Sequence, residues 1–348
     1  MAEAFRSDDP GADLLFVGSR HGPEGRLVER AGLPFVGLPS RPLARGLSLT
    51  SAAALFTLAL AAARALAILG RERADIVIGT GGYTSAAVML AQVLRRGVSV
   101  IHEQNAVPGR TNLLLSRFVT AVCVTYDESR DYFKTKNVVT TGLPIRREIL
   151  MGRDKAEARA KLGLKPDLFT VFVYGGSQGA RRINDLTMGA ARILGNRGIQ
   201  ILHQTGERNY DEVRAAAPRD ADYYRITAYL EDPAVAYWAA DMIVCRSGAS
   251  TLAELTAVGL PAILLPYPYA YANHQEKNAR LLEKRGAAVL MDEASSGPGE
   301  LANQIAALKT DPERLRRMAA ASRGLARPNA AANVVRVANS LVRGGSRA

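Results

Sequence analysis

The sequence predicts an α/β protein built from two doubly wound, parallel-sheet domains with a cleft between them. Three observations carry this. Short, continuous apolar runs rich in β-branched residues alternate with helix-length segments from end to end, the pattern of strands buried on both faces beneath crossover helices. Several strand ends break into glycine-rich or polar turns, among them Gly79-Thr80-Gly81-Gly82 and Gly175-Gly176-Ser177-Gln178-Gly179. The chain has 348 residues, long enough for two separate cores.

In the first half, strands are expected at Leu14–Val17, Phe35–Leu38, Asp75–Gly79, Ser99–His102, Ala121–Val124 and Val138–Thr140, with helices near Glu24–Ala31, Leu49–Leu69, Ser85–Arg95 and Arg110–Arg117. The second half repeats the alternation. Its strands are expected at Thr170–Val173, Gln200–Leu202, Tyr224–Thr227, Met242–Val244, Ala262–Leu265 and Ala288–Leu290. Its helices are expected near Arg182–Asn196, Asp211–Ala216, Pro233–Ala239, Thr251–Ala257, Gln275–Lys284 and Glu300–Lys309. The expected domains are 1–148 and 149–328, with an amphipathic last segment, 329–348, packing back toward the first.

Bulk composition narrows the class. Apolar residues make up 48% of the chain and charged residues 22%, ordinary for a soluble globular protein. The two cysteines, Cys123 and Cys245, each sit inside an apolar run, so buried free thiols are expected rather than a disulfide framework. Four histidines and no Cys/His cluster give no metal-ligand spacing. The net charge of +12 favours an anionic partner. The arginines are scattered, and no basic-aromatic run makes a nucleic-acid platform. The opening residues lack a secretory signal pattern. The Ala- and Leu-rich segment Leu47–Leu69 is softened by Thr57 and broken by Arg64, so it reads as a buried or interfacial helix rather than a span, which needs ~20 apolar residues.

The chemistry gathers at strand ends, where ligands of open α/β sheets sit. The most specific stretch is Cys245-Arg246-Ser247-Gly248-Ala249-Ser250-Thr251-Leu252-Ala253-Glu254, followed by Pro266-Tyr267-Pro268 and Asn273-His274-Gln275. A small-residue turn opening a helix offers free amides to phosphate, and a following carboxylate can take ribose hydroxyls. Thr251 and Glu254 equally fit a capping box. The Gly175–Ala180 turn reads as a phosphate or sugar-oxygen site or as a plain turn, and it is neither a Walker loop nor the dinucleotide fingerprint. Gly79–Ser85 reads the same way, with Ser85 as a possible helix cap. His102-Glu103-Gln104-Asn105 places four polar groups at the end of an apolar strand, where they need partners. The turn alternative has Asn105 bonding its own backbone.

Taken together these blocks resemble the MurG family of UDP-N-acetylglucosamine transferases. The matching segments run through nearly the whole chain in order: Phe16-Val17-Gly18, Gly79–Tyr83, His102–Asn105 with Pro108-Gly109, Thr141–Arg146, Gly175–Ala180, Cys245–Glu254, and Asn273-His274-Gln275 with Asn278-Ala279. The resemblance implies the GT-B fold and transfer of GlcNAc, with inversion, from UDP-GlcNAc to the MurNAc C4 hydroxyl of undecaprenyl-pyrophosphoryl-MurNAc-pentapeptide (lipid I). By the same resemblance the donor lies mainly on the second domain. Ser177 and Gln178 approach its phosphates and sugar, Leu230 contacts uracil through backbone, and Glu254 holds ribose. Ser250 and Thr251 approach the diphosphate, His274 and Gln275 the sugar, and Asn105 and Arg146 reach in from the other side. No cofactor or essential metal is implied. The acceptor is a lipid, so the resemblance also implies a peripheral place on the cytoplasmic face of the bacterial membrane, where the basic charge meets anionic headgroups. Leu55, Phe56, Leu58 and Leu60, flanked by Arg41, Arg45 and Arg64, are the candidate membrane-facing patch or else ordinary core.

One block departs from the family pattern. The family begins with a strand and a loop of the form Gly-Gly-Thr-Gly-Gly-His, and here Met1–Arg6 reads as the tail of the following helix. The expectation is a misassigned start codon, and neighbours of the missing strand left unpaired. That loop carries the family's usual base, so His102 and Glu103 are the substitutes within this chain. Two other readings stand beside the transferase: a UDP-GlcNAc 2-epimerase, and a truncated relative that binds UDP-GlcNAc or membrane without turnover.

Overall fold

The computed structural model describes residues 1–20, 22, 24–40, 49–176, 178–195, 197–218 and 221–345, with only the backbone described for 49–52 and 345. The chain forms two compact units, Met1–Pro144 with Asn329–Ala348, and Ile145–Pro328.

The first unit contains α1 (Ala2–Asp8), β1 (Phe16–Ser19), α2 (Glu24–Arg30), β2 (Phe35–Leu38), α3 (Leu49–Arg71), β3 (Ile76–Gly79), α4 (Gly82–Leu94), β4 (Val98–Glu103), α5 (Arg110–Leu115), β5 (Ala121–Val124) and β6 (Val138–Thr140). The second contains α6 (Arg147–Leu150), α7 (Lys155–Lys161), β7 (Phe169–Tyr174), α8 (Arg181–Leu194), β8 (Ile199–Gln204), α9 (Tyr210–Ala216), β9 (Tyr224–Thr227), α10 (Pro233–Ala239), β10 (Met242–Cys245), α11 (Ala249–Val258), β11 (Ala262–Leu264), α12 (His274–Lys284), β12 (Ala288–Leu290), α13 (Pro298–Thr310) and α14 (Pro312–Gly324). The last helix, α15 (Ala330–Gly345), belongs to the first unit.

All strand pairings are parallel. In the second unit six strands form one sheet in the order β12-β11-β10-β7-β8-β9. Alternate residues along β7 face opposite layers. Phe172 packs with Tyr237, Leu252 and Leu264, while Val171 and Val173 pack with Ile183, Leu186 and Ile305. Each such fully buried side chain contributes roughly 1.5–3 kcal/mol. The strand order reverses between β7 and β10, which makes their carboxyl ends the ligand-binding edge.

The first unit's strands make two sheets, β1-β2 and β3-β4-β5-β6. Helix α4 packs on both β1 and β3, yet these strands are not hydrogen-bonded to each other. Among the described residues the first unit's strands thus form two separate sheets. On the four-stranded sheet, Ile101, Val122 and Val124 face Met89 and Leu115, whereas Val100, Ala121 and Cys123 face Val334 of α15. Asn333 of α15 also donates to the Thr141 carbonyl at 3.3 Å.

Two helices escaped the sequence reading although their start signals were present. Asp154 caps α7 by accepting from the Glu157 amide at 3.0 Å, and Asp311 caps α14 by accepting from the Arg314 amide at 2.9 Å ahead of Pro312. Both are side-chain N-caps, one followed by Glu at the third position and one by Pro at the first. Helix α3 was read as a buried or interfacial helix, and one face of it is buried. Over Ala53–Arg71 it is long and apolar enough to cross a membrane by length and composition. It nevertheless lays a stripe of Ala61, Ala65 and Leu69 against Ala87 and Ala91 of α4, small residues that let the two helices approach closely. Arg64 is exposed.

Candidate functional site

Strand β10 ends at Cys245, and α11 begins four residues later with Gly248 as its N-cap and no side-chain cap bond. The helix therefore starts two residues before Thr251. This overturns the capping-box alternative: Thr251 and Glu254 lie inside the helix, and Glu254 does not turn back on the Thr251 amide. The amides of the first turn stay open, a helix N-terminus suited to an anion. Ser250 is exposed there and Thr251 half-buried.

Glu254 faces inward and is 5% exposed. Its Oε2 accepts from the Tyr237 hydroxyl at 3.0 Å, and its Oε1 lies 3.2 Å from Nε of Arg146. Burial pushes the carboxyl above its ordinary range, while the Arg146 charge and the Tyr237 hydrogen bond pull it back. Arg146 is the N-cap residue of α6, and its side chain remains half exposed. Tyr237, which sequence reasoning missed, is completely buried in α10.

Helix α12 is fastened to the turn after β10 by two bonds. Ser247 Oγ donates to the Gln275 carbonyl at 2.7 Å, and Asn278 Nδ2 donates to the Ser247 carbonyl at 3.2 Å. The Gln275 side-chain oxygen accepts from the Tyr267 amide at 3.0 Å. Arg246 was also missed. It donates to the Leu265 and Pro266 carbonyls, lies over the Tyr267 ring and pairs with Glu293. The available signal was a charge placed directly after a fully buried strand. His274 sits in the first turn of α12, where Nδ1 donates to the Tyr271 carbonyl at 2.8 Å, so the proton is fixed on that nitrogen when the ring is neutral.

After β7, the glycine turn interlocks with the turn after β8. The Gly179 amide donates to the Gly176 carbonyl at 2.9 Å, and Gln204 Nε2 donates to the same carbonyl at 3.3 Å. A Cβ on Gly179 would lie 1.9 Å from the Thr205 oxygen, and one on Gly206 would lie 2.3 Å from the Gln178 oxygen. Both glycines also have positive φ, so no side chain fits at either position. Gln178 is exposed on this turn, and Ser177 lies outside the described residues. Leu230 packs partly buried against the β7–α10 core just before α10.

In the first unit the structure corrects one expectation, the Ser85 cap, and gives His102 and Glu103 structural partners. His102 and Glu103 were candidate bases, and both are buried with structural partners. His102 Nε2 bonds the Gly142 carbonyl at 2.8 Å, and burial lowers its proton affinity. Glu103 accepts from the Asn105 amide at 3.0 Å, the Gly109 amide at 3.0 Å and Asn112 Nδ2 at 2.7 Å. Its carboxylate builds the 104–109 turn, and that turn places Asn105. Ser85 is not a cap, because α4 begins at Gly82 with Gly81 as N-cap. The Ser85 hydroxyl is buried without a hydrogen-bond partner among the described residues.

Comparison with known proteins converges on one family. Residues 1–124 match the glycosyltransferase family 28 N-terminal domain, and residues 170–334 match the family 28 C-terminal domain. The chain is similar to the UDP-N-acetylglucosamine–N-acetylmuramyl-(pentapeptide) pyrophosphoryl-undecaprenol N-acetylglucosamine transferases of Desulforudis audaxviator (41% identical, covering 100% of this chain and 95% of that protein) and Halothermothrix orenii (39%, covering 99% and 95%). Among solved structures it is similar to MurG of Acinetobacter baumannii, with a TM-score of 0.77 at 28% identity over 97% of this chain and 95% of the other. A UDP-N-acetylglucosamine 2-epimerase from Listeria monocytogenes shares the fold at 14% identity, with a TM-score of 0.68 over 96% of this chain and 92% of the other. The chain is thus a GT-B glycosyltransferase of family 28 and belongs to the MurG family.

Proposed function

We propose that the chain transfers GlcNAc from UDP-GlcNAc to the C4 hydroxyl of MurNAc in undecaprenyl-pyrophosphoryl-MurNAc-pentapeptide, with inversion, in peptidoglycan synthesis. The observation that carries this is the buried Glu254 carboxylate beside an uncapped α11 N-terminus at the strand-order reversal, in a chain 41% identical to a named transferase.

In this reading Glu254 accepts the ribose hydroxyls, and the backbone around Leu230 holds uracil. The open amides of α11, with Ser250 and Thr251, take the diphosphate and stabilise it as it departs. Gln178, Gln275 and His274 meet the sugar, while Arg146 completes the polar lining. His102 and Glu103 remain the candidates for the base, although each also has hydrogen-bond partners in the fold. The acceptor's C4 hydroxyl attacks the anomeric carbon from the face opposite the UDP oxygen, the C1–O bond to UDP breaks, and the hydroxyl proton passes to a base.

The acceptor's lipid implies a peripheral position on the cytoplasmic face of the membrane. The support is the outer face of α3, where Leu55, Phe56 and Leu60 are exposed, together with a net charge of +12 that suits anionic headgroups.

The deciding experiment measures UDP release from UDP-GlcNAc with and without a soluble lipid I analogue. Release that depends on the acceptor is expected. Formation of the sugar's 2-epimer without acceptor would replace this reading with an epimerase, and binding without turnover would leave only a ligand-binding role.

A further inference from the structure

We propose that Tyr237 is a positioning residue for donor binding, its hydroxyl holding the Glu254 carboxylate in the orientation that ribose recognition requires. This rests on the reading that Glu254 takes ribose.

A phenylalanine would fill the same core volume, so the hydroxyl needs its own explanation. Tyr237 is wholly buried. Its ring stands edge-on to Phe172, with centroids 5.5 Å apart at 80°, and to Tyr174, 6.5 Å apart at 70°. Two aromatic neighbours on β7 thus fix the ring, and the fixed ring fixes its oxygen. A buried hydroxyl without an acceptor would cost free energy, and here the acceptor is the Glu254 carboxylate.

Glutamate has three rotatable side-chain bonds, and α11 sets only where the side chain begins. With Oε2 held by Tyr237 and Oε1 beside Arg146, the carboxylate is immobilised before any ligand arrives. A carboxylate has about four acceptor positions, so two remain for vicinal hydroxyls. Ordering the group in advance removes that cost from binding. Tyr237 also joins two parts of the proposed donor site: it sits in α10, directly after the Leu230 loop, and holds a residue of α11. The hydrogen bond further favours the ionised carboxylate against burial.

The test uses the full chain and calorimetric titration with UDP and with 2′-deoxy-UDP, from neutral to mildly acidic pH. Tyr237→Phe is expected to weaken UDP about three- to tenfold at neutral pH and to shrink the preference for UDP over its 2′-deoxy analogue. It should also move the acid limb of UDP binding to higher pH, and raise KM for UDP-GlcNAc with little change in kcat. A merely structural tyrosine would move neither the 2′-deoxy preference nor the acid limb. Site-specific 3-fluorotyrosine at 237, a stronger donor of the same shape, should shift the limb the opposite way, and it keeps the test open if Tyr237→Phe does not fold. A Glu254→Gln variant weakened for UDP, with both Tyr237 variants matching wild type in limb and preference, would overturn the proposal alone. A Glu254→Gln variant that binds UDP like wild type would overturn the ribose reading and the proposal together.

Discussion

Arg146 Nε lies 3.2 Å from Oε1 of Glu254, so the carboxylate assigned to ribose carries a counter-charge from the residue that opens α6. Burial raises the Glu254 proton affinity and Arg146 opposes the rise. If binding needs the anion, UDP affinity is present above the folded-state value and is lost as pH falls through it. Arg146→Ala should therefore move the acid limb of UDP binding to higher pH. The Arg146 side chain is half exposed, so solvent screening limits the neutral-pH loss to about 1 kcal/mol, or about fivefold. Calorimetry across pH reads both, and a limb that stays in place counts against the pairing.

Glu103 separates a structural carboxylate from a catalytic base. It accepts from the Asn105 and Gly109 amides of the turn it organises and from Asn112 Nδ2 of α5. Glu103→Gln removes the charge and turns an amide nitrogen toward those donors, costing about 3 kcal/mol. Differential scanning calorimetry should show melting lowered by roughly 6–12 °C. Unchanged melting with abolished turnover would mark Glu103 as the base.

Gly176 and Gly179 in the loop after β7 should respond differently to a methyl group. Gly176 has positive φ but open space around it, whereas a Cβ on Gly179 meets the Thr205 carbonyl. Gly176→Ala should cost only backbone strain, about 1–2 kcal/mol. Gly179→Ala must push the loops after β7 and β8 apart, so it should destabilise more and lose UDP binding as well. Paired melting curves and UDP titrations check the order.

His203 makes the second unit acid-sensitive. It is fully buried, with Nδ1 2.7 Å from the Tyr224 hydroxyl and Nε2 3.0 Å from Asn184 Oδ1. Asn184 Oδ1 can only accept, so Nε2 carries a proton, and burial keeps the ring neutral. Desolvation lowers its pKa to about 3, against about 6.5 when unfolded. The unfolded chain thus binds the proton more readily between these values, and stability falls as pH drops below about 6.5. The loss is up to about 1.4 kcal/mol per pH unit. Chemical denaturation at several pH values should show this slope, and His203→Gln should flatten it.

The outer face of α3 gives a membrane prediction. Leu55, Phe56 and Leu60 are 57%, 72% and 41% exposed, so serine at all three should leave the melting temperature nearly unchanged. If these side chains enter a bilayer, each contributes on the order of 1.5–3 kcal/mol. Vesicles with anionic lipid should then retain the triple variant at least about tenfold less well. Equal retention would remove α3 from the interface.

Much of this protein was legible in the chain, because strand and helix patterns are local. Phe35–Leu38, Ala121–Val124, Val138–Thr140, Tyr224–Thr227 and Ala288–Leu290 fall where expected, since an apolar β-branched run between polar turns has few other uses in a doubly wound fold. The family was legible too, because its motifs keep their order.

What only the tertiary structure decided is the task of individual polar groups. Thr251-Leu252-Ala253-Glu254 spells a capping box, but Gly248 already begins the helix and Tyr237 and Arg146 claim the carboxylate. His102 and Glu103 end a strand as candidate bases, and Gly142, Gly109 and Asn112 hold them. The division of the first unit's strands into two sheets is likewise a matter of which edges meet. A buried polar atom must find a partner, and that partner is chosen by elements brought together from distant parts of the chain. The sequence by itself determined the α/β class, most of the elements and the family; folding determined which partners each buried carboxylate found.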